Sequence, residues 1–340
     1  MGVDISELLV KKPFALEDLT GRKIAIDAFN VLYQFLTIIR QPDGTPLRDS
    51  KGRVTSHISG LFYRTIRLLE NGAKPCYVFD GTPPAFKSAT TEQRHAVRAE
   101  AREKHAAALE RGDLQEARKY AVLGTGLTDE IIASSKELLE AMGVPYVQAP
   151  SEGEAQAAAM AARNDVWAVS SQDYDSLLFG APRLLRNIAI GGKRKLPGKR
   201  VYADVEPEMI TLDETLKALD IDREQLVALG LLVGTDFNPG GFKGIGPKRA
   251  LALVKQKRTL AHVLAGLEWK WETSAQEILE FFLEPPSVRT DLKWREPDAR
   301  ELTRILVEEH EFGRERIESA IKKLEEAKGT QGRLDQWVKK

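Results

Sequence analysis

The sequence predicts an α/β fold, a mostly parallel sheet flanked by helices. Three features carry that expectation. Short apolar runs with strand character fall at 23–26, 76–79, 145–148, 166–169 and roughly 183–190. Amphipathic stretches near 28–39, 57–71, 128–142 and 153–163 lie between them. Beyond about residue 205 the pattern turns to helices alone. Strands that alternate with helices pair in parallel.

Taken in order, KIAID (23–27) leads directly into the helix-like AFNVLYQFL. PCYVF (75–79) is a second strand, with Cys76 as a small core residue. Residues 87–122 resist the scheme. TTEQRHAVRAEAREKHAAALERGD has strong helix formers and a Thr cap at its start, but no apolar stripe. Such a helix projects into solvent or covers something charged. Further on, SEGEAQAAAMAAR opens a helix with Ser151 and Glu154 as a capping box. VWAV (166–169) is short and partly β-branched, a buried strand. The expected division is a sheet domain over 1–204, a helical region over 205–327 and a polar, flexible tail over 328–340.

Composition limits the classes. The 340 residues are 42% apolar and 29% charged, as in a soluble globular protein. Lys plus Arg equals Asp plus Glu at 50 each, so a nucleic-acid surface must arise by local segregation of charge. A single cysteine excludes an intrachain disulfide and suits a reducing compartment. No apolar run approaches membrane-spanning length. MGVDIS formally matches an N-myristoylation pattern, but no basic patch directly follows, and the match is read as chance.

Acidic residues recur where strands end. Singly, each has an ordinary role: Asp27 an N-cap, Asp80 and Asp236 turn residues, Glu152 and Glu154 part of a helix start, Asp173 and Asp175 caps of a short helix. Together they point elsewhere. The ends of parallel strands share one edge, where α/β folds place their sites. Several carboxylates crowded there raise one another's pKa unless a counter-charge is present. An all-oxygen set without thiols or clustered His favours Mg²⁺ or Mn²⁺. Two metals roughly 4 Å apart are the usual arrangement for phosphodiester cleavage.

Basic residues accompany the acids. Arg94, Arg98 and Arg102 are spaced by four, and Lys87 precedes them. They form either a solvated helix face or a cationic wall beside metals. GGKRKLPGKR (191–200), with Lys193, Arg194 and Lys195, is a basic hairpin, either merely exposed or phosphate-gripping. In GFKGIGPKRA, Gly244-x-Gly246 feeds a helix that starts at Pro247 and carries Lys248 and Arg249, which suits backbone phosphates. In QGRLDQWV, Gln331, Leu334, Trp337 and Val338 have the spacing of a one-turn anchor for a partner pocket.

IAIDAFN, YVFDGTPP, APSEGEAQAA, SSQDYDSLLFG, GTDFNPGGFKGIGPKRA and QGRLDQWV together resemble the structure-specific 5′ nuclease family (XPG/Rad2-like), in an archaeal form, over essentially the whole chain. The resemblance implies a PIN-like nuclease core with a wedge at 40–56 and a helical gateway and cap at 87–122. It also implies a helix-hairpin-helix-like element at 225–256 that in the family holds a monovalent cation, K⁺. The family's metal-site acids match Asp27, Asp80, Glu152, Glu154, Asp173, Asp175 and Asp236. Lys87 and Arg94 match its basic residues at the scissile phosphate, Tyr33 its base-stacking residue, and Gly2 a backbone close to the site. The tail matches a motif for the sliding clamp PCNA, with Trp337-Val338 where an aromatic pair is commoner, a departure that bears on clamp affinity. The implied activity is 5′ flap endonuclease and 5′ exonuclease cleavage of branched DNA by two Mg²⁺ ions, with Mn²⁺ as substitute. The implied setting is Okazaki fragment maturation and repair, by a monomer in a nucleoid-associated, cytoplasmic location. A junction-binding adaptor and an RNA-cleaving PIN-like nuclease are the competing readings. The acid set disfavours the first, and the wedge and clamp motifs the second.

Overall fold

Alternation along the central strands sets the architecture. In β2 (Lys23–Asp27), Ile24 and Ile26 enter one apolar core and Ala25 the other. In β3 (Lys74–Phe79), Tyr77 and Phe79 enter the first, Cys76 and Val78 the second. A strand buried on both faces needs a helical layer on each side. Each fully buried Ile contributes about 2 kcal/mol.

The computed structural model describes residues 2–188, 192–195 and 202–338, with the side chains of all but 88, 89, 93, 95, 192–195, 202–204 and 328–338. The first layer holds α1 (Ala28–Ile38), α2 (Ser56–Glu70), and, across the cap, α5 (Asp129–Ala141). The cap between them is α3 (Ser88–Glu110) and α4 (Leu114–Leu123). The second layer begins with α6 (Gly153–Ala162) and α7 (Asp175–Leu178). β4 (Tyr146–Gln148), β5 (Ala168–Ser170) and β6 (Arg183–Arg186) pair in parallel with their neighbours around β2 and β3.

The sheet is less uniform than the sequence suggests. β1 (Lys11–Pro13) and β9 (Glu208–Thr211) add an antiparallel edge, giving the order β1-β9-β6-β5-β2-β3-β4. β1 is KKP and exposed throughout, so it carries no apolar alternation to reveal it. β7 (Gly192–Lys195) and β8 (Tyr202–Val205) form a separate antiparallel ribbon. The turn between them, and the side chains of Lys193, Arg194 and Lys195, lie outside the described residues.

The helices after β9 split between the two faces. α8 (Leu212–Leu219), α9 (Arg223–Val233), α10 (Pro247–Lys257), α11 (Leu260–Leu264) and α12 (Ala275–Leu283) join the second layer. α13 (Ala299–Thr303), a π-helical turn (Arg304–Glu309) and α14 (Arg314–Val338) join the first. The region from 205 on therefore shares both cores of the sheet. Backbone over 328–338 continues α14, where the sequence suggests a flexible tail. The side chains of Gln331, Leu334, Trp337 and Val338 lie outside the described ones.

Two caps differ from expectation. α3 starts at Ser88, behind Lys87, with no side-chain cap bond, so neither Thr90 nor Thr91 caps it. α6 has Glu152 as N-cap and no capping box; Ser151 Oγ has no partner. Glu154 of that expected box faces the acid edge instead, its Oε1 accepting from Ser171 Oγ and Ser176 Oγ.

Gly81 holds that edge closed. Its N–H donates to Ser151 O at 2.6 Å, and a Cβ there would lie 2.1 Å from Ala149 O. Gly81→Ala must push the end of β3 away from the loop after β4. The expected cost is about 2 kcal/mol, measured by denaturant unfolding; an unchanged midpoint would contradict this packing.

Candidate active site

Register places the acids. Asp27 pairs with Val78 across β2 and β3, Ile26 with Ser170 across β2 and β5, and Phe79 with Gln148 across β3 and β4. Because these strands are parallel, Asp27, Asp80, the 151–154 turn and the 171–175 turn leave the sheet at one edge. Asp236 arrives from the loop after α9. Asp27 also caps α1, accepting from Asn30 N at 3.0 Å, so one side chain serves both the helix and the site.

Each carboxylate is held by a named donor. Ser171 Oγ donates to Glu154 Oε1 at 2.7 Å and lies 3.3 Å from Asp27 Oδ2. Ser176 Oγ reaches the same Glu154 oxygen at 3.2 Å. Asn30 Nδ2 donates to Asp173 Oδ2 at 3.3 Å. Gly153 N donates to Asp80 Oδ1 at 2.7 Å, and Val3 N to Asp175 Oδ1 at 2.6 Å. The N-terminal segment is thus tied to the site, and a Cβ on Gly2 would lie 2.7 Å from Asp175 Oδ1. Ser171, Ser176, Asn30 and Val3 carry no acidic signature. Only their position beside the acids in space marks them.

Two cations face the cluster. Lys87 Nζ lies 2.5 Å from Glu152 Oε2 and 3.5 Å from Asp236 Oδ2. Arg94 donates to Asp236 Oδ1 at 2.5 Å. The other arginines of α3 lean away. Arg102 Nε donates to Gly124 O at 3.2 Å, and Arg98 lies beside Gly126. Tyr33 is half-buried on α1, beyond Asn30. At the Gly-rich turn, α10 starts with Gly246 as N-cap and Pro247 in its first turn, as expected. Lys248 lies 3.2 Å from Glu7, and Arg249 donates to Gly244 O at 3.2 Å.

The electrostatics separate two groups of acids. Burial, then the charge of Asp80, raises the Asp27 carboxyl to about 8. Burial, then Glu152, raises Asp80 to about 6. Burial raises Asp175 to about 7, with Asp236 and Asp173 adding to it. Glu154 is pushed well above the usual range by burial, then Asp173 and Asp27. Asp236 goes the other way: burial, which raises it, is outweighed by the cations around it, Lys87 and Arg94 among them. Lys87 is raised, its burial outweighed by Glu152 and Asp236.

Among the described residues, no three of these acids stand close enough to ligate one ion as placed, and several of their oxygens accept from protein donors. The donor set still fits a hard divalent cation. It is all oxygen, and its raised carboxyls need a positive charge beyond Lys87 and Arg94 to ionise together.

These raised carboxyls set a pH trend. A carboxyl higher in the folded than in the unfolded chain binds its proton more tightly when folded, so stability is lost as pH rises through the window between the two values. For Asp27, Asp80 and Asp175 that window runs from the ordinary 3.8 up to about 8. With chelator present, the melting temperature is expected to fall between pH 5 and pH 8, and Asp27→Asn is expected to flatten the slope. A flat wild-type profile would contradict the assigned crowding.

Residues 4–101 match the XPG N-terminal domain, and residues 143–236 the XPG I-region. The chain is 55% identical over 340 residues to flap endonuclease 1 of Thermococcus onnurineus, covering 99% of each. It is 54% identical over 343 residues to flap endonuclease 1 of Pyrococcus furiosus, covering 100% of each. The structure of flap endonuclease-1 from Methanococcus jannaschii superimposes with a TM-score of 0.77 at 42% identity, over 97% of this chain and 100% of that one. The catalytic core of Rad2 in complex with DNA substrate, at 24% identity and a TM-score of 0.72 over 95% of this chain and 100% of that one, shares the fold. Similarity of this extent runs through every strand end that carries an acid, and the chain belongs to the flap endonuclease 1 family of structure-specific nucleases.

Proposed function

We propose that this 5′ flap nuclease hydrolyses one phosphodiester at a single-strand/double-strand junction with two Mg²⁺ ions, Mn²⁺ being able to substitute. The observation that carries the reading is the crowding of buried carboxyls at one sheet edge, opposite Lys87 and Arg94. Asp27, Asp80, Glu152, Glu154, Asp173, Asp175 and Asp236 would hold the ions. When bound, such ions activate water and stabilise the leaving oxygen.

The protein's own residues do the rest. Lys87 and Arg94 leave Glu152 and Asp236 to take the scissile phosphate, where a fixed positive charge stabilises the transition state. Tyr33 stacks on a base next to the junction. Lys248 and Arg249, at the helix start after the Gly-rich turn, hold duplex phosphates, with Arg98, Lys193, Arg194 and Lys195 lining the approach. K⁺ at the 225–256 element would add to that grip. Specificity follows junction shape rather than base sequence. The protein works as a monomer, close to the chromosome, and binds the sliding clamp through Gln331, Leu334, Trp337 and Val338. Among the described residues, no helix is long and apolar enough to cross a membrane. Roles in Okazaki fragment maturation and repair follow from the family.

Cleavage of a 5′-flap duplex, a 3′-flap duplex and a single strand, with Mg²⁺ and with EDTA, tests the reaction. Only the 5′ flap with Mg²⁺ is expected to be cut rapidly, and Asp173→Ala is expected to abolish cutting while junction binding persists. Wild-type cutting by that variant would reject the metal assignment. Deleting 331–340 is expected to leave junction cutting intact and remove stimulation by the clamp; unchanged stimulation would reject the anchor.

A further inference from the structure

We propose that Thr90 is a positioning residue for phosphodiester cleavage, pinning the root of α3 to the main chain of Asp236 through a contact that neither cation nor phosphate competes for. The proposal rests on the assignment of Lys87 and Arg94 to the scissile phosphate. Thr90 is buried, and its Oγ1 donates to the Asp236 carbonyl oxygen at 2.9 Å. Lys87, the residue just before α3, and Arg94, on α3, lie about one turn to either side of Thr90. They reach the same residue's carboxylate, at 3.5 Å from Oδ2 and 2.5 Å from Oδ1. Among the described residues, Lys87, Arg94 and Thr90 thus converge on Asp236, two through charge and one through a neutral hydrogen bond.

The three respond differently to substrate. A cation entering the site takes carboxylate oxygens, and an arriving phosphate takes the two bases. Both ion pairs then open. The Thr90 bond joins a hydroxyl to a main-chain carbonyl, so neither event draws on it. It keeps α3 within reach of the site while Lys87 and Arg94 change partners.

The carbonyl it grips is itself held. Thr235 N and Oγ1 donate to Asn238 Oδ1 at 3.0 and 2.7 Å, Phe237 N donates to Thr235 Oγ1 at 3.2 Å, and Asn238 Nδ2 donates to Leu231 O at 2.6 Å. Phe86, just before Lys87, packs edge-to-face on Phe237 and Phe281 with centroids 5.2 Å apart in each case. The aromatic contact sets how near α3 stands to the loop. The Thr90 bond, on α3 itself, adds a directional anchor one turn beyond Phe86 and fixes rotation about the helix axis. That rotation decides where Lys87 and Arg94 point.

Thr90→Val keeps the shape and removes the hydroxyl, while Thr90→Ser keeps the hydroxyl. Single-turnover cleavage of a 5′-flap duplex is expected to fall about tenfold in Thr90→Val, the scale of a small misplacement of catalytic groups. Affinity for that duplex, measured without divalent metal, is expected to stay within about twofold, since the phosphate contacts that dominate it remain. Thr90→Ser is expected to cleave like wild type. A second readout does not depend on cleavage. Amide hydrogen exchange over 88–104 in the free protein is expected to quicken about fivefold in Thr90→Val and not in Thr90→Ser, as loss of one anchoring hydrogen bond allows. Wild-type cleavage and exchange in Thr90→Val would overturn the proposal, as would equal losses in both variants. If the wild-type protein cuts no 5′ flap, the reaction assignment fails, and the exchange comparison still decides whether Thr90 anchors the helix.

Discussion

Burying like charges side by side is the constraint on which the rest of this protein depends. Parallel strands deliver Asp27, Asp80 and the acids behind β4 and β5 to one edge, and burial prevents water from screening them. The structure meets that cost with directed donors. Serine hydroxyls, an asparagine amide and the main-chain N–H groups of Val3 and Gly153 each take a carboxylate oxygen. What they leave uncompensated is a standing demand for positive charge, part of which Lys87 and Arg94 meet.

The same constraint explains where the helices go. α3 carries little apolar surface and does not belong to a core, yet its first turns are tied to the loop after α9. Its root is held by charge through Lys87 and Arg94 and by aromatic packing through Phe86. Farther along, Arg102 braces α3 against the end of α4. A polar helix of this kind gains stability at its ends rather than along a stripe.

The site also draws the two faces of the sheet together. Asp236 comes from the second layer through α9, and Asp27 caps α1 in the first. The N-terminal segment crosses to Asp175, and α10 starts beside the first turn of the chain, where Lys248 meets Glu7. A shift in any of these elements changes the spacing of the acids, so the packing that stabilises the fold also sets the geometry of the site.

The sequence by itself determined the central sheet, the acids and the two cations. β2, β3 and β5 announce themselves because strands buried on both faces need unbroken apolar runs, and acids directly behind such runs must share an edge if the strands are parallel. It did not determine β1 or β9, whose short edge positions need no apolar pattern, nor the split of the later helices between two faces, since an apolar stripe does not say which partner it meets. It suggested a cap at Ser151 and at the Thr pair of α3, because local spacing is blind to a competing site nearby. Only the tertiary structure brought Ser171, Ser176, Asn30, Val3 and Thr90 to the acids. Each is ordinary in the chain, and its role exists only as a distance between segments far apart in sequence.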